Sequence, residues 1–310
     1  MKKKFYVLAL GLFVTTMMFA QETFGPTEIL TGTYLGETIP LREYALNQVQ
    51  ERNNPDTEVM VPNESNTPFD FVETTTVIPN LQTEEGKIIT QPIEQNFVGS
   101  GSFESGFFPP DPTGAVGPDH YVHSVNSLVK IFDKTGVLEV GPVSLGAFLG
   151  IPSNSGDPIV KYDQLADRWV VSEFGSLNDP AGTYNVYQYQ FNGFPDYPKY
   201  GLWHDGYYGT VNLNGQTTQG FVMERDEMLV GGASPQILIF NLPDIVVNPN
   251  QVKSPEPASL LSTTFDPSAP GYITYLQDDG WTGAISFDHL KVWEISVDWN
   301  DINNSTISTP

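Results

Sequence analysis

Residues 156–174, GDPIVKYDQLADRWVVSEF, hold two short runs of β-forming residues around a polar turn. Pro158 has a preset φ and no backbone N–H, so it suits the first position of a strand. Ile159 to Tyr162 and Arg168 to Phe174 carry the Val, Ile, Tyr, Trp and Phe that fit a pleated, half-buried surface, with a turn from Asp163 to Asp167 between them. A related opening stands at Asp111, in DPTGAVGPDHYVHSVN, and a weaker one at Asp205, in HDGYYGTVN. The intervals are 46 and 48 residues. A period of about 40–50 residues with several strands per unit is the repeat of a propeller blade.

The rest of the chain fits that pattern. Tyr121 to Asn126 and Leu128 to Asp133 read as two strands, with Lys134-Thr135-Gly136 as a turn. Tyr184 to Phe191 alternates with a period of two, and Leu177 to Gly182 is a loop. Tyr207 to Asn212, Gln236 to Asn241, Tyr272 to Leu276 and Leu290 to Trp299 are further strands. Gly220 to Val230 fits a strand pair or a short helix, and the end, NDINNSTISTP, shows no closing strand. After the first 20 residues no long helical period occurs, so the expectation is an all-β fold: a propeller-like repeat of about four blade units over 97–310. At this period the stretch holds roughly four and a half units, which points to an incomplete or truncated ring.

The first 20 residues have the build of a secretory signal: Lys2, Lys3 and Lys4, an apolar run of about 15 residues from Phe5 to Phe19, and Ala20 before Gln21. Residues 21–96 are rich in Pro, Asn, Glu and Thr without a sustained period, and read as an acidic, irregular leader or linker. Within it, Thr74 to Ile78 could pair on a sheet edge. Secreted or cell-surface localisation is expected, with no integral membrane segment after signal cleavage. The chain has no cysteine, which removes disulfides, thiol nucleophiles and Cys-ligated zinc and leaves stability to a sizeable core. A net charge of −23 repels phosphate backbones, so nucleic acid is not an expected partner.

Four motifs together, DPTGAVGPDHYVHSVNS (111–127), GDPIVKYDQLADRW (156–169), DYPKYGLWHDGYY (196–208) and LKVWEISVDW (290–299), resemble a family of secreted bacterial β-propeller-like proteins of poorly defined function. Such proteins are often type IX secretion cargo with a C-terminal sorting domain. The motifs span most of residues 97–300, and none is a catalytic signature. His204 departs from the family pattern, and the implied sorting domain is absent from this sequence. The resemblance implies a propeller scaffold and export, and no reaction.

Among the four histidines, His120 and His123 sit three apart on an expected strand, point to opposite faces and cannot share a metal. No HExxH, GxSxG, P-loop or dinucleotide fingerprint occurs, and Gly-rich 99–106 is not followed by a helix. The carboxylates of Asp111, Asp157 and Asp205 are the candidates, read as equivalent positions of successive units facing one end of a central channel. Three readings stay open. Each Asp caps its turn; or the three bind Ca²⁺, the one cofactor considered, or a sugar; or a pair acts as acid and base on a glycosidic bond. Trp203 and Trp281, beside polar turns, are candidate carbohydrate platforms, while Trp169 is expected in the core. The function expected is a non-catalytic exported binding or cell-surface protein, with carbohydrate or a surface protein as partner. The alternative is a glycoside hydrolase or polysaccharide lyase on the same scaffold.

Overall fold

In a computed structural model the chain is described over residues 21–38, 94–107, 109–151, 156–173, 176–178, 185–213, 217–247 and 255–310. The fold is all-β, built from four antiparallel sheets that succeed one another along the chain. The first sheet holds β4 (Thr113–Val116), β5 (His120–Val125), β6 (Leu128–Asp133) and β7 (Leu138–Ser144). The second holds β8 (Ile159–Asp163), β9 (Arg168–Glu173), β10 (Ser176–Asn178) and β11 (Asn185–Gln188). The third holds β12 (Pro195–Leu202), β13 (Tyr207–Leu213), β14 (Gln219–Met223) and β15 (Gln236–Asn241). The fourth holds β16 (Glu256–Pro257), β17 (Gly271–Gln277), β18 (His289–Ser296) and β19 (Thr306–Ser308). Each is a simple up-and-down meander, the connection that short turns allow between antiparallel neighbours.

The sheets stack through their faces. Val122, Ile131 and Phe148 of the first unit meet Val160, Trp169 and Val171 of the second. On the opposite pleat of β9, Val170 turns the other way and packs with Tyr207, Phe221 and Ile239 of the third sheet. Tyr208, Val222, Leu238 and Phe240, on the far side of the third sheet, bury Ile273, Trp293 and Ile295 of the fourth. A strand covered on both faces loses its alternation, and this explains the unbroken apolar run from Ile237 to Phe240 within Gln236–Asn241. The first strands line up: β4 lies beside β8, β8 beside β12, and β12 beside β16. Val160 N–H donates to Thr113 Oγ1 at 3.1 Å, and Thr210 Oγ1 donates to Pro255 O at 2.7 Å, tying neighbouring sheets at this level.

Polar ties also cross between sheets. Asp163, at the end of β8, accepts Arg225 Nε at 2.7 Å and Tyr207 OH at 3.1 Å. Its other oxygen accepts the N–H groups of Leu165 and Ala166, so it caps its own turn while anchoring the third unit. Both charges are buried, so removing either partner would strand the other.

Residues 21–37 correct the first part of the 21–96 leader read as irregular, whose residues 39–93 lie outside the described residues. Residues 21–37 form three strands, β1 (Thr23–Phe24), β2 (Glu28–Thr31) and β3 (Thr33–Glu37). Each is the fifth strand of a different sheet: β1 pairs with β19, β2 with β15 and β3 with β11. The segment thus runs backwards over the outer edges of the fourth, third and second sheets and satisfies their free backbone groups. Its side chains stay largely exposed, so pairing with distant strands, rather than local pattern, makes it a strand. The expected signal at 1–20 and the Thr74 to Ile78 edge strand lie outside the described residues.

Other expectations resolve in detail. Gly220 to Val230 is both a strand and a helix: β14 gives way to a short helix at Arg225–Leu229, which joins those at Ser102–Ser105 and Leu145–Leu149 among the described residues. The C-terminus does carry a closing strand, β19, reached through a tight 3₁₀ turn at Ile302–Asn304 whose first N–H groups Asp301 caps. Among the described residues, no helix is long and apolar enough to cross a membrane.

This packing has two measurable consequences. Trp169 is 8% exposed, with its ring 5.0 Å from that of Tyr162, as expected for a core residue. Trp169→Ala should cost about 3–5 kcal/mol in chemical denaturation, against no effect if the ring were peripheral. Deleting residues 21–37 should lower the melting temperature and cause aggregation at concentrations where the full chain stays dispersed in light scattering, because three sheet edges lose their partners.

Candidate functional site

Each first strand carries a proline near its start: Pro112, Pro158 and Pro255 just before β4, β8 and β16, and Pro198 within β12, at the break in its pairing with β13. The residue preceding Pro112, Pro158 and Pro198 has a positive φ: Asp111 at 35°, Asp157 at 48° and Tyr197 at 51°. A residue before proline ordinarily takes an extended conformation, which is what the sequence leads one to expect for Asp157. Asp tolerates positive φ better than most residues, and Gly156, itself at φ 89°, supplies the sharp approach. For bulky Tyr197 the same turn is a strained one. It sits where pairing with β13 shifts register between Asp196 and Lys199.

This correspondence corrects the alignment of the repeat. The third-unit counterpart of Asp111 and Asp157 is Tyr197, not Asp205. Asp205 lies beyond the opposite end of β12, in the turn to β13. There it accepts Tyr208 OH at 3.0 and 3.2 Å, while its backbone carbonyl accepts Trp299 Nε1–H. Burial raises the carboxyl above its ordinary range, opposed by His204 and the Tyr208 bond, and the Tyr208 hydroxyl is pushed well up by burial and by Asp205. The arrangement is a clasp between the third and fourth sheets.

Asp111 and Asp157 do come together. Their side chains hydrogen-bond to each other, and Asn126, fully buried, holds both. Asn126 Nδ2 donates to Asp111 Oδ2 and to Pro109 O, and its Oδ1 accepts Asp157 N–H at 2.7 Å. A direct bond between two carboxyls needs a proton on one of them. Burial raises the Asp111 carboxyl, the bonds from Asp157 and Asn126 oppose this, Asp196 adds to it and Lys199 opposes it.

Lys199 is the hub of the surrounding charge. Burial lowers its ammonium, while Glu256, Asp157 and Asp196 raise it and Lys161 lowers it further. Its Nζ lies 3.2 Å from the centre of the Tyr197 ring, which stands half exposed. Glu256, on β16, is raised by burial and lowered by Lys199 and Lys161. One end of the first strands therefore gathers four carboxylates and two ammonium groups, contributed by all four sheets, around one aromatic ring. Asn126, Lys161, Asp196, Lys199 and Glu256 do not stand out in the sequence as site residues. The residue-Pro pairs at Asp111, Asp157 and Tyr197 are the signal that would have aligned the first three units.

The two candidate tryptophans are placed apart from this cluster and are partly covered. Trp203 donates Nε1–H to Ala269 O at 3.3 Å and meets Tyr272 edge-on at 5.8 Å. Trp281 leans on Tyr275 at 5.6 Å, and both tryptophans pack against the core between the third and fourth sheets. The reading of Asp111, Asp157 and Asp205 as ligands of one Ca²⁺ does not match their positions: Asp111 and Asp157 stand where β4 and β8 begin, and Asp205 stands past the far end of β12. Among the described residues, three acidic ligand atoms meet within 4.8 Å of one another only at Asp278, Asp279 and Asp288, an exposed turn. There, Asp278 and Asp288 already accept N–H groups from Gly280 and Asp279.

Burial of the Asp111 carboxyl makes a prediction with a definite sign. A carboxyl whose folded pKa is raised above its unfolded value stabilises fully below the unfolded value and loses that contribution as pH rises through the folded one. Asp111→Asn keeps an acceptor for Asn126 and offers a permanent donor to Asp157. The melting temperature of this variant relative to wild type should therefore rise as pH is taken from the ordinary carboxyl value of 3.8 towards neutrality. A constant difference across that range would exclude a raised Asp111 carboxyl. A Ca²⁺-dependent rise in wild type that vanishes in Asp157→Ala would assign a cation to the pair instead. No protein-family model matches this chain, and no curated protein matches it in sequence.

Proposed function

We propose that this protein is a secreted or cell-surface binding protein, non-catalytic, on a propeller-type scaffold. Its ligand would be a polar, hydroxyl-rich molecule such as a carbohydrate, or a polar segment of a surface protein, taken where the first strands converge. The supporting observation is the cluster of Asp111, Asp157, Asp196 and Glu256 with Lys161, Lys199 and the Tyr197 ring. Donors, acceptors and an aromatic face side by side suit hydroxyl-rich ligands. The propeller reading draws support from successive four-stranded meanders whose first strands neighbour one another in order. Export draws on the Lys2 to Ala20 pattern and the acidic, cysteine-free composition.

The glycosidase alternative has less support. Acid and base carboxyls of a glycosidase stand about 5–9.5 Å apart, with room for the sugar bond or water between them. Asp111 instead interacts with Asp157 by hydrogen bonding, and Asn126 binds the Asp111 carboxylate and the Asp157 backbone.

The test is a glycan array and a polysaccharide-degradation screen on wild type, Lys199→Met and Asp157→Asn. The expected outcome is binding to a defined glycan set, weakened about tenfold or more by Lys199→Met, with no turnover. Turnover by wild type that Asp157→Asn abolishes would replace the binding reading with the hydrolase. Binding undisturbed by Lys199→Met would move the site elsewhere.

A further inference from the structure

The pleat of the first sheet that faces away from the second carries two rows across the strands. In one row Val116 of β4 stands opposite Tyr121 of β5, Tyr121 opposite Phe132 of β6, and Phe132 opposite Leu138 of β7. In the other, Gly114 stands opposite His123, and His123 opposite Lys130. The alternate pleat, with Val122 and Ile131, packs on the second sheet. Although the two rows face away from that core, Phe132 is 4% exposed and Lys130 only 7%. Their cover belongs to the same chain: residues 97–104, which cross this face as a strap before the chain reaches β4.

The strap is held along its length. The Phe97 ring lies 5.0 Å from that of Phe132 and 6.1 Å from that of Tyr121. The backbone at Gly99 passes so close to the His123 imidazole that an added Cβ would stand 2.8 Å from its Cε1 and Nδ1. The Ser100 N–H donates to His123 Nδ1 at 3.1 Å. Lys130 Nζ donates to Glu104 Oε1 and, at 3.4 Å, to Gly99 O. The closed position also carries a cost, since Ser100 Oγ and Glu104 Oε2 are buried there without a hydrogen-bond partner. Closure therefore leans on the few polar bonds that the strap does make.

Of these bonds, the one to His123 is the one that a change of pH near neutrality breaks. To accept the Ser100 N–H, Nδ1 must keep its lone pair, so the ring is neutral with its proton on Nε2. An imidazolium carries a proton on both nitrogens and would set one N–H against another. The charged groups that face the ring are Lys130, directly opposite on β6, and Glu104 on the strap, while Tyr121 stacks on it at 5.7 Å as a neutral phenol. Burial and Lys130 hold the imidazole below its ordinary value of 6.5, and Glu104, engaged with Lys130, opposes them only in part. A group lowered in this way stabilises the closed strap fully above 6.5 and loses that contribution as pH falls through 6.5 towards the lowered value. His120 lies on the other pleat and pairs with Glu139 of β7 at 2.9 Å.

We propose that residues 97–104 are an acid-released strap: neutral His123 keeps them closed on the first sheet, and its protonation expels the Ser100 N–H, sets a second cation beside Lys130 and uncovers Val116, Tyr121, Phe132 and Leu138. The uncovered row is apolar across all four strands, a surface of the kind that associates.

The absence of cysteine makes the strap easy to label. Val98, 83% exposed between Phe97 and Gly99, accepts a cysteine and a nitroxide spin label without touching a buried contact. Mobility of the label in the full chain is followed from about pH 8 to about pH 5, the range in which histidine changes charge. In Val98→Cys the ratio of mobile to immobile label should rise severalfold as pH falls, with the far-ultraviolet spectrum unchanged. His123→Asn keeps an acceptor for the Ser100 N–H and does not titrate, so in that background the label should stay immobile throughout. Gly99→Ala, which pushes the strap off the imidazole, should leave the label mobile at both ends of the range. The midpoint of the rise should also coincide with the titration of the His123 ring followed by proton NMR, which keeps the proposal open to refutation even where His123→Asn does not fold. Equal mobility at the two pH values, a rise that survives His123→Asn, a midpoint away from the His123 titration, or a label held in Gly99→Ala as firmly as in its parent would each overturn it.

Discussion

Two-sided burial of the inner sheets is the constraint on which the rest depends. The second and third sheets have no solvated face, so strands such as β9 and β15 present apolar side chains on both pleats. Burial of this kind supplies most of the favourable free energy of folding and is indifferent to direction. Orientation between sheets must therefore come from elsewhere. Here it comes from a few polar ties set into the apolar contacts: Asp163 with Arg225 and Tyr207, Asp205 with Tyr208 and Trp299, and Thr113 with the backbone of Val160. Each is partly or wholly removed from water, where an unmade bond is costly, so each favours one register of sheet on sheet.

Stacked meanders leave a second difficulty, the outer edges. Open edges are templates for unwanted pairing. The chain covers three of them with one short segment, residues 23–37, which adds a strand to the fourth, third and second sheets in turn. The same segment links chain regions nearly the full sequence apart, since Thr23 pairs with Ser308. Such non-local pairing forms only once both partners are in place, which ties the ends of the chain to the completion of the sheets.

At the starts of the first strands the balance differs. Positive φ at Asp111, Asp157 and Tyr197 and half-buried carboxylates are all locally unfavourable. They coexist because proline, Asn126 and the neighbouring strands over-determine the turns. Unfavourable local choices collected at one place, on a scaffold that is otherwise consistent, are where a binding role is best sought.

Much of the fold was legible in the sequence. The strand at Ile159–Asp163, its partner at Arg168–Glu173 and the runs at Leu128–Asp133 and Gln236–Asn241 are visible because side-chain alternation or continuous apolarity is a local property. The core position of Trp169 was readable from its flanking valines. By contrast β2, β3 and β19 owe their existence to backbone pairing with strands far away, and no local pattern encodes that. The site divides the same way. That Asp111 and Asp157 are counterparts was readable from the shared Asp-Pro. That Asp205 is not, and that Lys199 and Glu256 stand beside the pair, was decided by how β12 and β16 are laid against β8. Sequence determined the strands that carry a local pattern, because propensity and periodicity act within a few residues. Tertiary structure alone decided which charges meet, because the distance between two carboxylates depends on the packing of sheets and not on the spacing of letters.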